Sequence, residues 1–147
     1  MDNTYTITID GLQRSVDDSA DVEKISLITR GSYHCDNGLF TIQYEESEAT
    51  GFDGDITTIT VNDSERASVC RRGKHTSELV LEPGQKHFCH YDTGFGYCTL
   101  GVLTQNINNR LNEHGGTLNL LYSIDLNSNA VSQNELNITV RERNNNA

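Results

Sequence analysis

Apolar and polar residues alternate with a period of two along much of this 147-residue chain, the pattern of strands that bury one face. TYTITI (4–9), LFTIQY (39–44), ITTITV (56–61), TLNLLYSIDL (117–126) and ELNITV (135–140) all read this way. Threonine, valine, isoleucine and tyrosine are frequent in these runs and suit a pleated, half-buried surface. Helical periodicity is nearly absent. Turn signals separate the runs: Asp36-Asn37-Gly38, Arg72-Gly73, Pro83-Gly84, Thr93-Gly94 and His114-Gly115-Gly116. Their spacing of roughly 8–12 residues describes an antiparallel sandwich or barrel.

Two-residue hairpin loops fix which residues oppose one another, and so which share a face. With His114-Gly115 as the loop, Leu111 faces Leu118, Ile107 faces Tyr122 and Leu103 faces Leu126. Each pair joins apolar residues, which marks the predicted core face. With Pro83-Gly84 as the loop, Leu79, Ser77 and Leu81 lie inward opposite Phe88, His90 and Lys86. Val80 then meets His87, and Glu78 meets Cys89, on the outer face. The hairpin at 92–96 centres on Thr93-Gly94 or Gly94-Phe95, and either choice puts Phe88 and His90 with Tyr97, Thr99 and Gly101. If the strand continues without a bulge, that face runs on into Leu103 and Ile107. A strand over 97–112 is long beside the usual ~3–10 residues, and Gly101 is the predicted bend. Long, coiling antiparallel strands favour closure into a barrel over an open sheet.

Composition narrows the setting. Hydrophobic residues are 35% and charged residues 22% of the chain, which is globular rather than disordered. The length fits one domain, read as a barrel over 1–143 followed by a frayed polar tail at 144–147. A formal net charge of −10 repels phosphate backbones and anionic lipid heads, arguing against nucleic-acid and membrane partners. The opening MDNTYTITIDG has neither the basic nor the apolar region of a secretory signal, and no apolar run approaches the ~18–20 residues of a span. The expected location is cytoplasmic, with Cys35, Cys70, Cys89 and Cys98 as thiols.

The candidate chemistry concentrates in KHFCHYDTGFGYCTLG (86–101). His87, Cys89 and Glu78 share the predicted outer face and carry nitrogen, sulfur and oxygen donors that suit zinc, but their spacing lacks the knuckle of structural sites. The competing reading is that these are ordinary polar residues of the outer face. A catalytic thiol needs a histidine within reach, and the adjacent His34 and Cys35 point to opposite faces of a strand. Cys70 falls inward beside Ser77 and reads as a small core residue. No G-x-S-x-G elbow, P-loop or dinucleotide fingerprint occurs, so no catalytic role is filled and no cofactor is implied. In the basic cluster around the Gly73 turn, Arg72 takes the inward parity and Arg71 the outward. Arg72 is thus a candidate anion contact at the barrel mouth, against the plainer reading of solubilising charge.

The inward polar set carries the most information. Ser77, His90, Tyr97, Thr99, Gln105 and Tyr122 fall on the predicted apolar face, and buried polar groups need partners. His90, Tyr97, Gln105, Tyr122 and Arg72 are therefore the lumen candidates for binding a ligand. A packed core with an internal hydrogen-bond network is the alternative.

Several segments in order, namely TITIDGLQ, GLFTIQYEES, ITTITV, Tyr91-x-Thr93-x-x-Gly96, LNEHGGTLNLLYSIDL and NELNITVRE, resemble the YwiB-like family of bacterial proteins. That family is a domain of unknown function placed among calycin-type barrels, and the resemblance covers essentially the whole chain. One departure is Gly94 after Thr93, where the family often has proline. The resemblance implies a single closed antiparallel barrel of about eight to ten strands. It supplies no activity, cofactor or catalytic residue. The expected function is a non-catalytic barrel binding a small ligand in its lumen or mouth. One alternative is a protein-interaction or structural module with a filled barrel, homodimeric in one version, acting through an outer face such as Val80, His87 and Tyr91. A metal-dependent enzyme is the third.

Overall fold

The computed structural model describes residues 4–16, 22–47, 52–92, 96–126 and 129–143. The tail expected at 144–147 and the turn residues Thr93, Gly94 and Phe95 lie outside them. Ten strands follow one another: β1 (Tyr5–Ser15), β2 (Val22–Asp36), β3 (Leu39–Glu45), β4 (Ile56–Asn62), β5 (Arg66–Arg72), β6 (Ser77–Leu81), β7 (Lys86–Asp92), β8 (Tyr97–Asn112), β9 (Gly115–Leu126) and β10 (Asn129–Glu142). Among the described residues no helix is long and apolar enough to cross a membrane.

All ten strands form one antiparallel sheet in the order β6-β5-β4-β3-β2-β1-β10-β9-β8-β7. Each strand therefore pairs with its chain neighbour, β1 pairs with β10, and the two edges β6 and β7 are themselves consecutive. They meet at a single Glu82–Gln85 bridge around Pro83-Gly84, and no ladder continues beyond it. Side chains close the seam instead. Val80 N–H donates to Cys89 Sγ at 3.3 Å, Asp92 N–H to Ser77 Oγ at 3.0 Å, and Glu82 N–H to Thr104 Oγ1 at 3.1 Å. The result is an all-β, nearly closed barrel that protects its two edges without a full set of ladder bonds.

An up-and-down meander sends alternate connections to opposite ends. The tight β2–β3, β4–β5, β6–β7 and β8–β9 turns gather at one end, called here the closed end. There the lumen is filled by Ile7, Ile42, Val61, Leu81, Leu118 and Val140, all essentially inaccessible. Tyr33 reaches across the lumen from β2 and donates its hydroxyl to the Asn112 carbonyl of β8 at 2.6 Å. At the β8–β9 turn, Gly115 and Gly116 adopt φ of 127° and 125°. A side chain at either would collide with a carbonyl, of Val140 or Arg110 respectively.

Besides the β6–β7 ladder, where the expected Leu79–Phe88, Ser77–His90, Val80–His87 and Glu78–Cys89 pairs give way to one bridge, three registers differ from expectation. The β8–β9 loop is Glu113-His114, since Asn112 pairs with Gly115, so Leu118 opposes Asn109 and Leu120 opposes Ile107. A two-residue slip keeps parity, and Ile107, Leu111, Leu118 and Leu120 are all buried as expected. The second difference is decisive. β8 carries a bulge at Gln105, where the pairing jumps from Thr104–Tyr122 to Asn106–Leu121. One extra residue reverses every side chain upstream of it. Val102 and Thr104 are therefore buried, while Leu103 is exposed. The β7–β8 hairpin takes the Gly94-Phe95 register, pairing Asp92 with Tyr97 and Cys89 with Leu100. It transmits the inverted parity, so Phe88 (71% exposed) and Tyr97 (70% exposed) point outward with His90, and Cys89 and Tyr91 point inward.

The third difference lies at the β5–β6 turn. Arg71, not Cys70, pairs with Ser77, and Cys70 pairs with Glu78 on the outer side. That single-residue shift buries Arg71 and exposes Arg72. Gly101 is not where β8 is interrupted. Its missing side chain leaves space for the Lys86–Asp125 ion pair, which a Cβ there would strike.

Candidate functional site

At the other end of the barrel the described residues leave the lumen unfilled. On β1, Ile7 and Ile9 give way to Gly11 and Gln13. On β10, Val140 and Ile138 give way through Leu136 to Asn134 and Ser132, along the same inward parity. Glycine and short polar side chains do not fill the cross-section that isoleucine fills, and a cavity of ≈ 310 Å³ remains. Leu79, Leu100 and Ile124 supply apolar wall, and Tyr91, Tyr122, Ser132 and Asn134 supply polar groups. A second hollow of ≈ 120 Å³ shares Gln13, Tyr122 and Asn134 with the first and adds Gly11, Ile25 and Leu136.

The polar groups of this lining are only partly satisfied by the protein. Asn134, 8% exposed, donates from Nδ2 to Ser132 Oγ at 3.0 Å. Its Oδ1, and the hydroxyls of Tyr91 and Tyr122, have no hydrogen-bond partner among the described residues. Burial, with the neighbouring Tyr91, pushes the Tyr122 hydroxyl up to about 12, so it holds its proton at neutral pH.

A charged brace stands beside the cavity. Asp55, 2% exposed, accepts from the backbone N–H groups of Lys74 at 2.9 Å and His75 at 3.2 Å. Arg71 Nε and His75 Nδ1 face the same carboxylate oxygen at 3.9 and 3.4 Å. Neither nitrogen has a hydrogen bond to a described residue. The Arg71 guanidinium lies 3.4 Å from the centre of the Phe52 ring and 5.3 Å from that of Tyr91, and donates to Ser77 Oγ at 3.1 Å. Cation–π contact and the Asp55 charge together hold an arginine that burial alone would disfavour. Gly73, at φ 150°, lies against the Asp55 carboxylate so closely that no side chain fits. Alongside, Glu46 accepts from Thr57 Oγ1 at 2.6 Å. Burial and the Glu46 charge push the Tyr44 hydroxyl far above its ordinary range.

Of the five lumen candidates, only Tyr122 lines the cavity. His90, Tyr97, Gln105 and Arg72 are outside, displaced by the bulge or by the one-residue shift at β5–β6. Gln105 instead joins an outer-face chain, donating to Ser123 Oγ and accepting from Gln133 Nε2, both at 3.1 Å. His87, Cys89 and Glu78 do not converge. His87 Nε2 pairs with Glu82 Oε1 at 2.9 Å, Cys89 is buried and Glu78 is exposed. Burial pushes the Cys89 thiol up, which weakens it as ligand or nucleophile. Among the described residues no group of His, Cys, Asp and Glu is arranged to hold a metal. Asn134 and Ser132 went unrecognised although the alternation of β10 carries them: counting back from Ile138 by twos reaches both.

The family model for a domain of unknown function, DUF1934, matches residues 7–138. The crystal structure of the YwiB protein from Bacillus subtilis superposes with a TM-score of 0.79 at 19% identity, covering 97% of this chain and 93% of that one. At that identity the likeness shows the fold alone, and it bears out the barrel and the resemblance read from the sequence. No curated protein matches the chain.

Proposed function

Since the chain belongs to the DUF1934 family of domains of unknown function, we propose that it is a non-catalytic module that binds a small molecule in the open half of its barrel. The observation that carries this reading is the ≈ 310 Å³ cavity, whose largely apolar wall carries hydroxyl and carbonyl groups with no partner among the described residues. Its volume reaches the lower end of the ~300–1,000 Å³ typical of ligand pockets, and the mixture of apolar wall and few polar groups is their usual lining. Exposed Val16, Ile25, Leu126 and Val131 lie around this end of the barrel and suit a ligand whose apolar body reaches the mouth. Cys98 and Ser132 are the nucleophile-type side chains in the lining, and no histidine or carboxylate among the described residues lines the larger cavity to activate them. This favours binding over catalysis. A calycin-type relationship and a cytoplasmic setting fit the same reading, the latter because all four cysteines are free thiols.

A fragment screen by protein-detected NMR on the full chain tests the proposal. Binders should perturb the amides of Tyr122, Ile124 and Asn134, and Leu100→Trp, which fills the cavity, should abolish them. A wild-type protein that binds no fragment there refutes it. A second reading, self-association, is favoured by one observation: Phe88 and Leu103 are exposed together on the outer face. Val80 and Tyr91, expected on that face, pack against the core instead. A sedimentation measurement comparing wild type with Phe88→Ser addresses it. A monomeric wild type removes it.

A further inference from the structure

We infer that the ligand carries an uncharged carboxamide-type head, a carbonyl beside an N–H as in a primary amide, lactam or urea, seated against Asn134, Ser132 and Tyr122. This rests on the binding reading above and names the chemistry of its ligand.

The first argument is charge. Among the described residues lining the larger cavity none is Asp, Glu, Lys or Arg. A carboxylate or ammonium entering it would lose hydration with no opposite charge among those lining residues, and the nearby Arg71 is already engaged by Asp55. The smaller hollow carries Glu23 and Glu135, which further disfavour an anion.

The second argument is the inventory of donors and acceptors. Ser132 Oγ already accepts from Asn134 Nδ2, so its own proton is available to donate. The Tyr122 hydroxyl keeps its proton and also donates. Asn134 Oδ1 accepts, and with Asn134 only 8% exposed, the cavity is its route to a partner. The site therefore offers donors and an acceptor side by side. A carboxylate supplies acceptors only and would set an oxygen against Asn134 Oδ1. An ammonium could donate to Asn134 Oδ1 and to the hydroxyl oxygens, but it accepts nothing, so the Ser132 and Tyr122 protons go unused. A carboxamide presents a carbonyl and an N–H on adjacent atoms and satisfies both kinds of group at once. Leu79, Leu100 and Ile124 then take the apolar body.

Four probes with one body and different heads test this by calorimetric titration of the full chain at neutral pH: hydrocinnamamide, hydrocinnamate, phenylpropylamine and propylbenzene. The amide should bind roughly tenfold or more tighter than the carboxylate and the amine. Tyr122→Phe, which keeps the ring and the packing, and Asn134→Leu should each lower amide affinity about five- to tenfold and narrow the amide's advantage over propylbenzene, which uses neither polar group. Circular dichroism confirms that both variants fold. If the carboxylate or the amine matches the amide, or if neither substitution alters the preference, the carboxamide assignment is overturned and the binding reading stands. If none of the four probes binds and the fragment screen is also blank, both are overturned.

Discussion

Asp55 shows how a nearly inaccessible charge is kept. Two backbone N–H groups and the flanking Arg71 and His75 surround its carboxylate, and removing it leaves the Arg71 charge buried against Phe52 with its main counter-charge gone. Breaking a buried pair from one side costs about 3–5 kcal/mol. Asp55→Ala should therefore lower the urea midpoint by that equivalent, and Asp55→Ala with Arg71→Met should recover part of the loss. Tyr122 gives a pH signature. Burial raises its pKa from the ordinary tyrosine value of 10.0 to about 12, so the neutral hydroxyl is the form the fold favours. Its contribution is fully present below pH 10 and is lost as pH rises towards 12, where the unfolded chain ionises first. Tyr33 and Tyr44 are shifted in the same direction, mainly by burial. Stability should thus fall steeply in alkali, by up to about 1.4 kcal/mol per pH unit for each such tyrosine. In Tyr122→Phe the slope between pH 10 and 12 should be shallower by one proton, as read from denaturation midpoints across that range.

At the scale of the strand, the bulge at Gln105 governs which face of β7 and half of β8 meets the core. Deleting Gln105 sets Thr104 next to Asn106, so Val102, Thr104, Ile107 and Leu111 fall into one regular alternation and all stay inward. The deletion should therefore keep the cooperative thermal transition, at a cost limited to the local bend and twist that the bulge supplies. Loss of the cooperative transition would show that the bend itself is needed to bring the barrel round. At the seam, Thr104 Oγ1 takes the Glu82 N–H and is 1% exposed. Thr104→Val keeps the shape and leaves that donor unpaired, so it should cost about 1–3 kcal/mol in chemical denaturation. The same two features explain how far the sequence could be read. Alternation located the strands and held the right face within β9, which has no bulge between Leu118 and Tyr122, and so Tyr122 was placed correctly. It failed for His90, Tyr97 and Gln105 because a bulge adds one residue without a compositional mark. It failed at Pro83-Gly84 because a two-residue turn implies a ladder, and here the strands separate after one bridge.

Over the whole molecule, the barrel is asymmetric along its axis. One half is packed with isoleucine, valine and leucine, and the described residues leave the other hollow, with an apolar wall that carries a few polar groups. Opening should follow that division, because regions with fewer buried apolar contacts open at lower cost. In hydrogen exchange, the amides of Ile42, Ile59 and Leu118 should exchange slowest, and those of Gln13, Tyr91 and Ser132 orders of magnitude faster. An amide probe that occupies the cavity should slow the second group selectively, and uniform protection along the strands would contradict the division.

By itself the sequence determined an all-β antiparallel fold, the placing of its hairpins and the existence of polar residues on inward-facing positions. These follow from alternation and turn chemistry, which are properties of neighbouring residues. The tertiary structure decided which polar residues those are, that Arg71 rather than Arg72 enters the interior, and that half the lumen stays open. Facing direction depends on counting residues through every bulge and loop, where one residue reverses the answer. A cavity depends on volumes contributed by strands far apart in the chain. Gly11 on β1, Tyr122 on β9 and Asn134 on β10 make one hollow only because the sheet curls until they share a wall.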